Sequence, residues 1–445
     1  MEPALSPALP ARFNRRLSMA LVSLSLIFSL VAFTLSVGET GPAATHELAE
    51  GSSLRQIQFG SIFLAAIWLA WQHRQWTWLH LKHANPFLIA VVVYCFASML
   101  WSVAPMVSIK RTALLVGLLL IGLATAPPVG DTRLCSRAMM FTITGIAAVS
   151  AVVALALPNV GVDFQLGGAW RGILWQKNVL GSITGFGVIL WLRECLTGDM
   201  PLPRCIAGLV LCFFVLIMSK SATSLIVTVL GCGIYLMLRR KYLAGRHTQL
   251  VLSMGLILTV MLLLHFGYVI TGHLPTWNDL VGPITGALNK SSDFTGRGEI
   301  WKLVLLSVER HPIWGIGYGG FWLGEGSASQ YIKDLLAWMP ATGHQGYIDI
   351  LNELGAVGLG LTIAALFWHF YQLGRLAFID REEAAIHFSL IVLVIVSNFS
   401  ESQLLADVAF QNIYFFYSSL NVSAILDLHR KGALPAAARG GLAHA

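Results

Sequence analysis

Long apolar runs recur along this chain, separated by short polar turns, and one polar stretch from about Thr271 to Asn352 interrupts them. Each run is about 15 to 22 residues long, the length a helix needs to cross hydrocarbon, where only helices and closed barrels satisfy the backbone. The runs fall at 17–37, 56–71, 86–101, 109–126, 138–157, 179–192, 205–219, 222–238, 249–270, 354–372, 385–400 and 409–427. Charged residues make up 11% of the chain, against roughly 25% in soluble domains. The expected fold is therefore all-α: a polytopic helical membrane protein of about 12 transmembrane helices. Its organisation reads as a tail (1–16), a first membrane bundle (17–270), a large loop (271–353), a last group of helices (354–427) and a second tail (428–445). Residues 1–11 and about 432–445, rich in Pro, Ala and Gly, read as disordered. Arg12, Arg15 and Arg16 before the first run resemble a signal sequence, but the run is long and no A-x-A site follows, so an uncleaved first helix is expected.

A net charge of +7 in such a chain is first a topology signal, not a nucleic-acid signal. Most Lys and Arg fall in the tails and alternate connections, which places both termini inside and the long loop outside. Against that bias, Lys110, Arg111, Arg171, Lys177 and Lys220 stand at external helix ends. Each alone could snorkel to lipid phosphates; together they suggest a site for an anion. The six Cys lie in or beside apolar runs without a C-x-x-C pair and read as packing residues. No His, Cys or carboxylate pattern suggests a metal, so no metal and no cofactor is expected.

Within the long loop, Glu299 to Arg310 has helical spacing but is too short and too charged to span. Gln330 to Trp338 reads as a second short helix, and His344 to Leu354 as the helical start of the next span. Gly315-x-Gly317-x-x-Gly320 matches a dinucleotide fingerprint only in letters, because no βαβ context surrounds it. His344, between Gly343 and Gly346 at the start of a membrane helix, is the candidate acid–base residue; an imidazole exchanges protons near neutral pH. Arg297, flanked by glycines, offers a fork suited to phosphate oxygens, or pairs with Glu299 on the surface. Arg171 and Lys177 precede a helix N-terminus that favours anions. Lys220, beside serines, binds an anion or belongs to a helix cap. Cations without metal suit a departing diphosphate, and the His suits deprotonation of an incoming hydroxyl.

The blocks W-R-G-I-x-x-x-K-N-x-L-G (Trp170 to Gly181), S-K-S-A-T-S-L (Ser219 to Leu225), G-R-G-E-I-W (Gly296 to Trp301), H-P-I-W-G-I-G-Y-G-G-F-W (His311 to Trp322) and G-H-Q-G-Y-I-D-I-L-N-E-L-G-A-V-G (Gly343 to Gly358) occur in order. With L-W-S-V-A-P (Leu100 to Pro105) and N-F-S-E-S (Asn398 to Ser402), they resemble the bacterial O-antigen ligase/polymerase superfamily. The wording is nearest to exopolysaccharide polymerases of the succinoglycan type. The resemblance implies an inner-membrane enzyme with its active site at the periplasmic face. It would carry out metal-independent inverting transfer of a glycan from undecaprenyl diphosphate to a sugar hydroxyl. It implies His344 as the catalytic base and Arg171 and Arg297 as diphosphate ligands, with Lys177 and Lys220 alongside. The expected partners are the lipid-linked donor, a glycan or lipid A–core acceptor, membrane lipids and polysaccharide export machinery. A repeat-unit polymerase is favoured over an O-antigen ligase. A transporter or flippase with a basic pocket is the reading from another class, and a non-catalytic scaffold a third.

Overall fold

A computed structural model describes residues 11–31, 53–126, 132–239 and 297–430. The ninth apolar run (249–270), residues 271–296 of the long loop and the outer parts of both tails lie outside the described residues. The helices are α1 (Ala11–Leu30), α2 (Ser53–Gln72), α3 (Arg74–His83), α4 (Pro86–Ala97), α5 (Pro105–Thr125), α6 (Leu134–Ala156), α7 (Lys177–Thr197), α8 (Leu202–Met218) and α9 (Ala222–Leu238). After the long loop begins come α10 (Arg297–Arg310), α11 (Gln330–Leu336), α12 (Gly346–Leu376), α13 (Arg381–Ser397) and α14 (Phe410–Arg430). Strand is confined among these residues to an antiparallel pair, Val162–Asp163 with Ala169–Trp170. The chain is thus helical, as the apolar runs predict. Among the described residues four helices, α5, α6, α7 and α12, are long and apolar enough to cross a membrane, or five spans if α3 and Pro86–Leu100 count as one element bent by 95°.

That bend has a local cause. Asn85 accepts from the Phe87 and Leu88 amides at 3.1 and 3.2 Å, and Pro86 sits in the first helical turn. The cap satisfies amides that would otherwise be orphaned. Its Nδ2 also donates to the Ala365 carbonyl at 2.8 Å, which ties the bend to α12.

α14 runs through the middle of the bundle, buried from Phe410 to Leu428. Several of its polar groups are paired to neighbours: Gln411 donates to Ser182 (2.7 Å), Ser418 meets His369 and His387 (3.0 and 2.8 Å), and Gln372 donates to Ser423 (2.8 Å). A buried polar helix is stable on that condition. Near one end of the bundle, Arg193 on α7 meets Glu383 on α13 at 3.1 Å, both fully buried.

The long loop has its own small core of Ile300, Val304, Ile316, Phe321, Trp322 and Ile332. α10 therefore packs on its own loop, and Trp301 donates to the Gly343 carbonyl at 2.8 Å. The glycine-rich segment after His311 mates with a break in α12. Gly355 sits there at φ 66°, and a Cβ would meet the Ile313 carbonyl oxygen at 2.1 Å, so only glycine fits. The loop fills the hydrogen bonds the break opens: Ile316 and Gly317 amides donate to Asn352 and Glu353 carbonyls (3.1 and 2.9 Å), and the Ala356 amide donates to Pro312 (2.8 Å). These glycines serve the helix break, not a nucleotide.

Candidate active site

His344 stands immediately before α12, in a turn built by glycines. The Gly346 amide donates to the Asn398 carbonyl at 2.9 Å, and a Cβ at Gly346 would lie 2.1 Å from Asn398 Oδ1. Gly343 donates its amide to both oxygens of Asp349, at 3.2 and 3.0 Å. Asp349 is buried and also accepts from Trp322 Nε1 (3.0 Å) and the Ser402 hydroxyl. Between these two anchored glycines His344 is held at φ 51°, a conformation an L residue adopts at a cost of order 1–3 kcal/mol.

The imidazole faces a carboxylate from the α13–α14 connection. His344 Nδ1 lies 3.4 Å from Glu401 Oε2, with both side chains half-buried. The other oxygen, Oε1, accepts from Asn178 Nδ2 at 2.9 Å. Asn178 belongs to the first turn of α7. Glu401 thus joins two of the sequence blocks, and of the acids near His344 it is the one that touches the ring. Asp349 shapes the turn instead, and Glu299 is exposed on α10.

His344, Glu401 and Asp349 line a cavity of about 440 Å³ at this end of the bundle, together with Arg55, Arg111, Trp175, Tyr318, Glu353 and Asp407. Pockets for small ligands occupy roughly 300–1,000 Å³. Residues 401–410 form one continuous stretch of its wall. Tyr318 fixes that stretch: its hydroxyl donates to the Leu405 carbonyl at 2.6 Å and lies 3.3 Å from Asp407 Oδ1. Burial, reinforced by Asp407, pushes the Tyr318 phenol well above its ordinary value, so it stays a donor. Arg111 Nε approaches Asp407 at 3.5 Å, and Glu353 accepts from the Gly319 amide at 2.8 Å. Among the described residues five non-glycines have positive φ, and His344, Leu405 and Asp407 of these line the cavity. Backbone strain of this kind clusters at active sites and ligand clamps, which makes this wall the candidate.

The other predicted cations are placed differently. Arg171 donates through Nε to the Val160 carbonyl at 2.9 Å, and Lys220 donates to Gly167 at 2.6 Å. Both attach to the connection that carries the strand pair. Lys177 opens α7, half-buried, beside Asn178. Arg297 opens α10, 47 positions before His344 in the chain, and its side chain lies outside the described residues. The described cavity wall takes its cations from Arg55 and Arg111 instead. Arg111 was visible as a cation at an external helix end; Arg55 carries no sequence signal. Glu401 was visible within N-F-S-E-S, but nothing in the sequence assigns it to His344. Among the described residues no group of three His, Cys, Asp or Glu is placed to hold a metal ion.

Two comparisons bear on this arrangement. Residues 207–363, which contain Lys220, Arg297 and His344, match the family described as O-antigen ligase. The chain is also 25% identical over 328 residues, 72% of its own length and 72% of the relative's, to the exopolysaccharide production protein ExoQ of Rhizobium meliloti (strain 1021).

Proposed function

We propose that this chain, which belongs to the O-antigen ligase/polymerase superfamily, transfers a glycan from undecaprenyl diphosphate to a sugar hydroxyl during surface polysaccharide assembly. The observation that carries the reading is the Asn178–Glu401–His344 chain in the wall of a cavity at one end of a membrane bundle. Glu401 faces Nδ1, which leaves Nε2 to act on the substrate. Nε2 takes the proton of the acceptor hydroxyl as its oxygen bonds to the anomeric carbon of the donor. The bond from that carbon to the diphosphate breaks, the diphosphate leaves with the electron pair, and the configuration inverts. Arg171, Arg297, Lys177 and Lys220 are the proposed diphosphate ligands. Lys177 supports this best, since it lies between Trp175 in the cavity wall and Asn178 on Glu401.

The wider setting is part of the same proposal: about twelve spans, both termini inside, the long loop and the cavity at the periplasmic face of the inner membrane, and export machinery as a neighbour. The relative named for exopolysaccharide production favours a repeat-unit polymerase; the matching family's description favours a ligase onto lipid A–core. The test uses purified protein in liposomes with a lipid diphosphate-linked glycan, offered a second lipid-linked repeat and a lipid A–core together. Elongated lipid-linked product supports the polymerase, and glycosylated core the ligase. Transfer by His344→Ala at the wild-type rate overturns the role of His344, and no transfer by the wild-type protein overturns the enzymatic reading.

A further inference from the structure

Trp175 stands in the cavity wall without a role in the chemistry above. Its two neighbours in the same block are committed to the fold. Trp170 is buried and packs edge-on against Phe214, with ring centroids 5.6 Å apart. Leu174 is buried, with its amide donating to the Arg171 carbonyl at 3.1 Å. Trp175 is turned the other way: 60% of it is exposed, and it borders the cavity that holds His344. Three positions later Asn178 holds Glu401, so the indole is tethered at short range to the catalytic pair.

The charge of the wall says what kind of ligand lies there. Asp349, Glu353, Glu401 and Asp407 face it against Arg55 and Arg111, an excess of carboxylates. A diphosphate is disfavoured in such a space. Carboxylates are hydrogen-bond acceptors for hydroxyl groups, and the face of an indole gives a flat apolar surface to the C–H side of a sugar ring. We infer that Trp175 is the stacking platform for the terminal sugar of the acceptor, and that this cavity selects an uncharged sugar there. The inference rests on the glycosyl-transfer reading and assigns the cavity to the acceptor, with the diphosphate at its margin near Lys177.

The test uses the full-length protein in liposomes, with the donor saturating and the acceptor varied. Trp175→Leu keeps an apolar side chain for the lipid but removes the aromatic face. It is expected to raise the acceptor KM roughly tenfold, with kcat and donor KM within about twofold, and Trp175→Phe is expected to recover most of the loss. An acceptor ending in a uronic acid is expected to be used at least about tenfold less well than its neutral counterpart. If Trp175→Leu leaves the acceptor KM unchanged, or lowers only the yield of folded protein, Trp175 is a lipid-interface residue and the inference is overturned. Equal use of the uronate acceptor overturns the charge selection. Wild-type protein in the same liposomes separates the two outcomes: if it transfers no glycan, the glycosyl-transfer reading fails and this inference with it. If it transfers glycan and Trp175→Leu matches it in acceptor KM, this inference alone fails.

Discussion

His344 and Glu401 meet at 3.4 Å across 57 positions of chain, one before α12 and the other after α13. Glu401 is held in turn by Asn178. On the proposed role of His344, a general base positioned by this carboxylate contributes about 10²–10⁴-fold to rate. Glu401→Ala is expected to lower kcat for glycan transfer about 100-fold, with acceptor and donor KM little changed. Glu401→Gln, which still offers an oxygen to Asn178, is expected to retain the folded protein but not the rate. Steady-state kinetics in liposomes, alongside thermal unfolding, checks both. A KM-only effect would place Glu401 in substrate binding instead.

The glycines on either side of His344 set its position through close approach. A methyl group at Gly346 meets Asn398 at 2.1 Å, and one at Gly343 meets Asp349 at 2.5 Å. Overpacking of this kind costs about 1–3 kcal/mol. Gly346→Ala is expected to lower thermal stability by that order and to remove transfer activity, because the turn must shift to relieve the contact. Glycines with open space offer the control: Gly360→Ala meets nothing within 4 Å and is expected to leave both unchanged. Thermal unfolding and the transfer assay, run on both variants, decide it.

What could be read beforehand follows from the range of each interaction. The apolar runs are local, and a helix occurs where each described run predicts one. His344 was legible because two glycines and a helix start lie within three residues of it. Gln330 to Trp338 was also found, although the helix ends at Ala337 in a left-handed conformation, φ 62°, ahead of Pro340. Glu401 could not be assigned, because its contact with His344 exists only after α12 and α13 fold back on each other. α3 was missed for a different reason: W-T-W-L-H-L-K-H is too polar to register as a span, and its 95° turn into α4 depends on Asn85 reaching Ala365. The polar face of α14 was absorbed into an apolar run, because aromatic and aliphatic residues outnumber the Gln, Asn and Ser between them.

The same distance from sequence applies to the buried pair of Arg193 and Glu383, 3.1 Å apart on α7 and α13. His387 and Arg133 also approach Glu383, at 3.3 and 3.9 Å. Removing one partner of a buried pair leaves an uncompensated charge and costs about 3–5 kcal/mol. Arg193→Met is expected to lower stability by about that much, and Glu383→Gln by less, since Glu194 still faces Arg193 at 3.5 Å. Arg193→Met with Glu383→Leu is expected to recover part of the loss. A double-mutant cycle by thermal unfolding in detergent measures this, and strict additivity of the two single effects would argue against coupling.

Tyr318 gives the pH-dependent prediction. Its hydroxyl donates to Leu405 at 2.6 Å, and burial raises the phenol well above its ordinary value of 10.0. A raised value means the folded state holds the proton more tightly than the unfolded state. The stability from this group is therefore fully present below pH 10 and is lost as pH rises above it towards the folded value. Over that window the slope is up to about 1.4 kcal/mol per pH unit for one proton. Tyr318→Phe removes the titration together with the bond. It is expected to be less stable than wild type at pH 8 by about 1–2 kcal/mol, and to lose less on going to pH 11. The two unfolding curves should therefore converge at alkaline pH. Parallel curves from pH 8 to 11 would show that Tyr318 does not carry the alkaline loss.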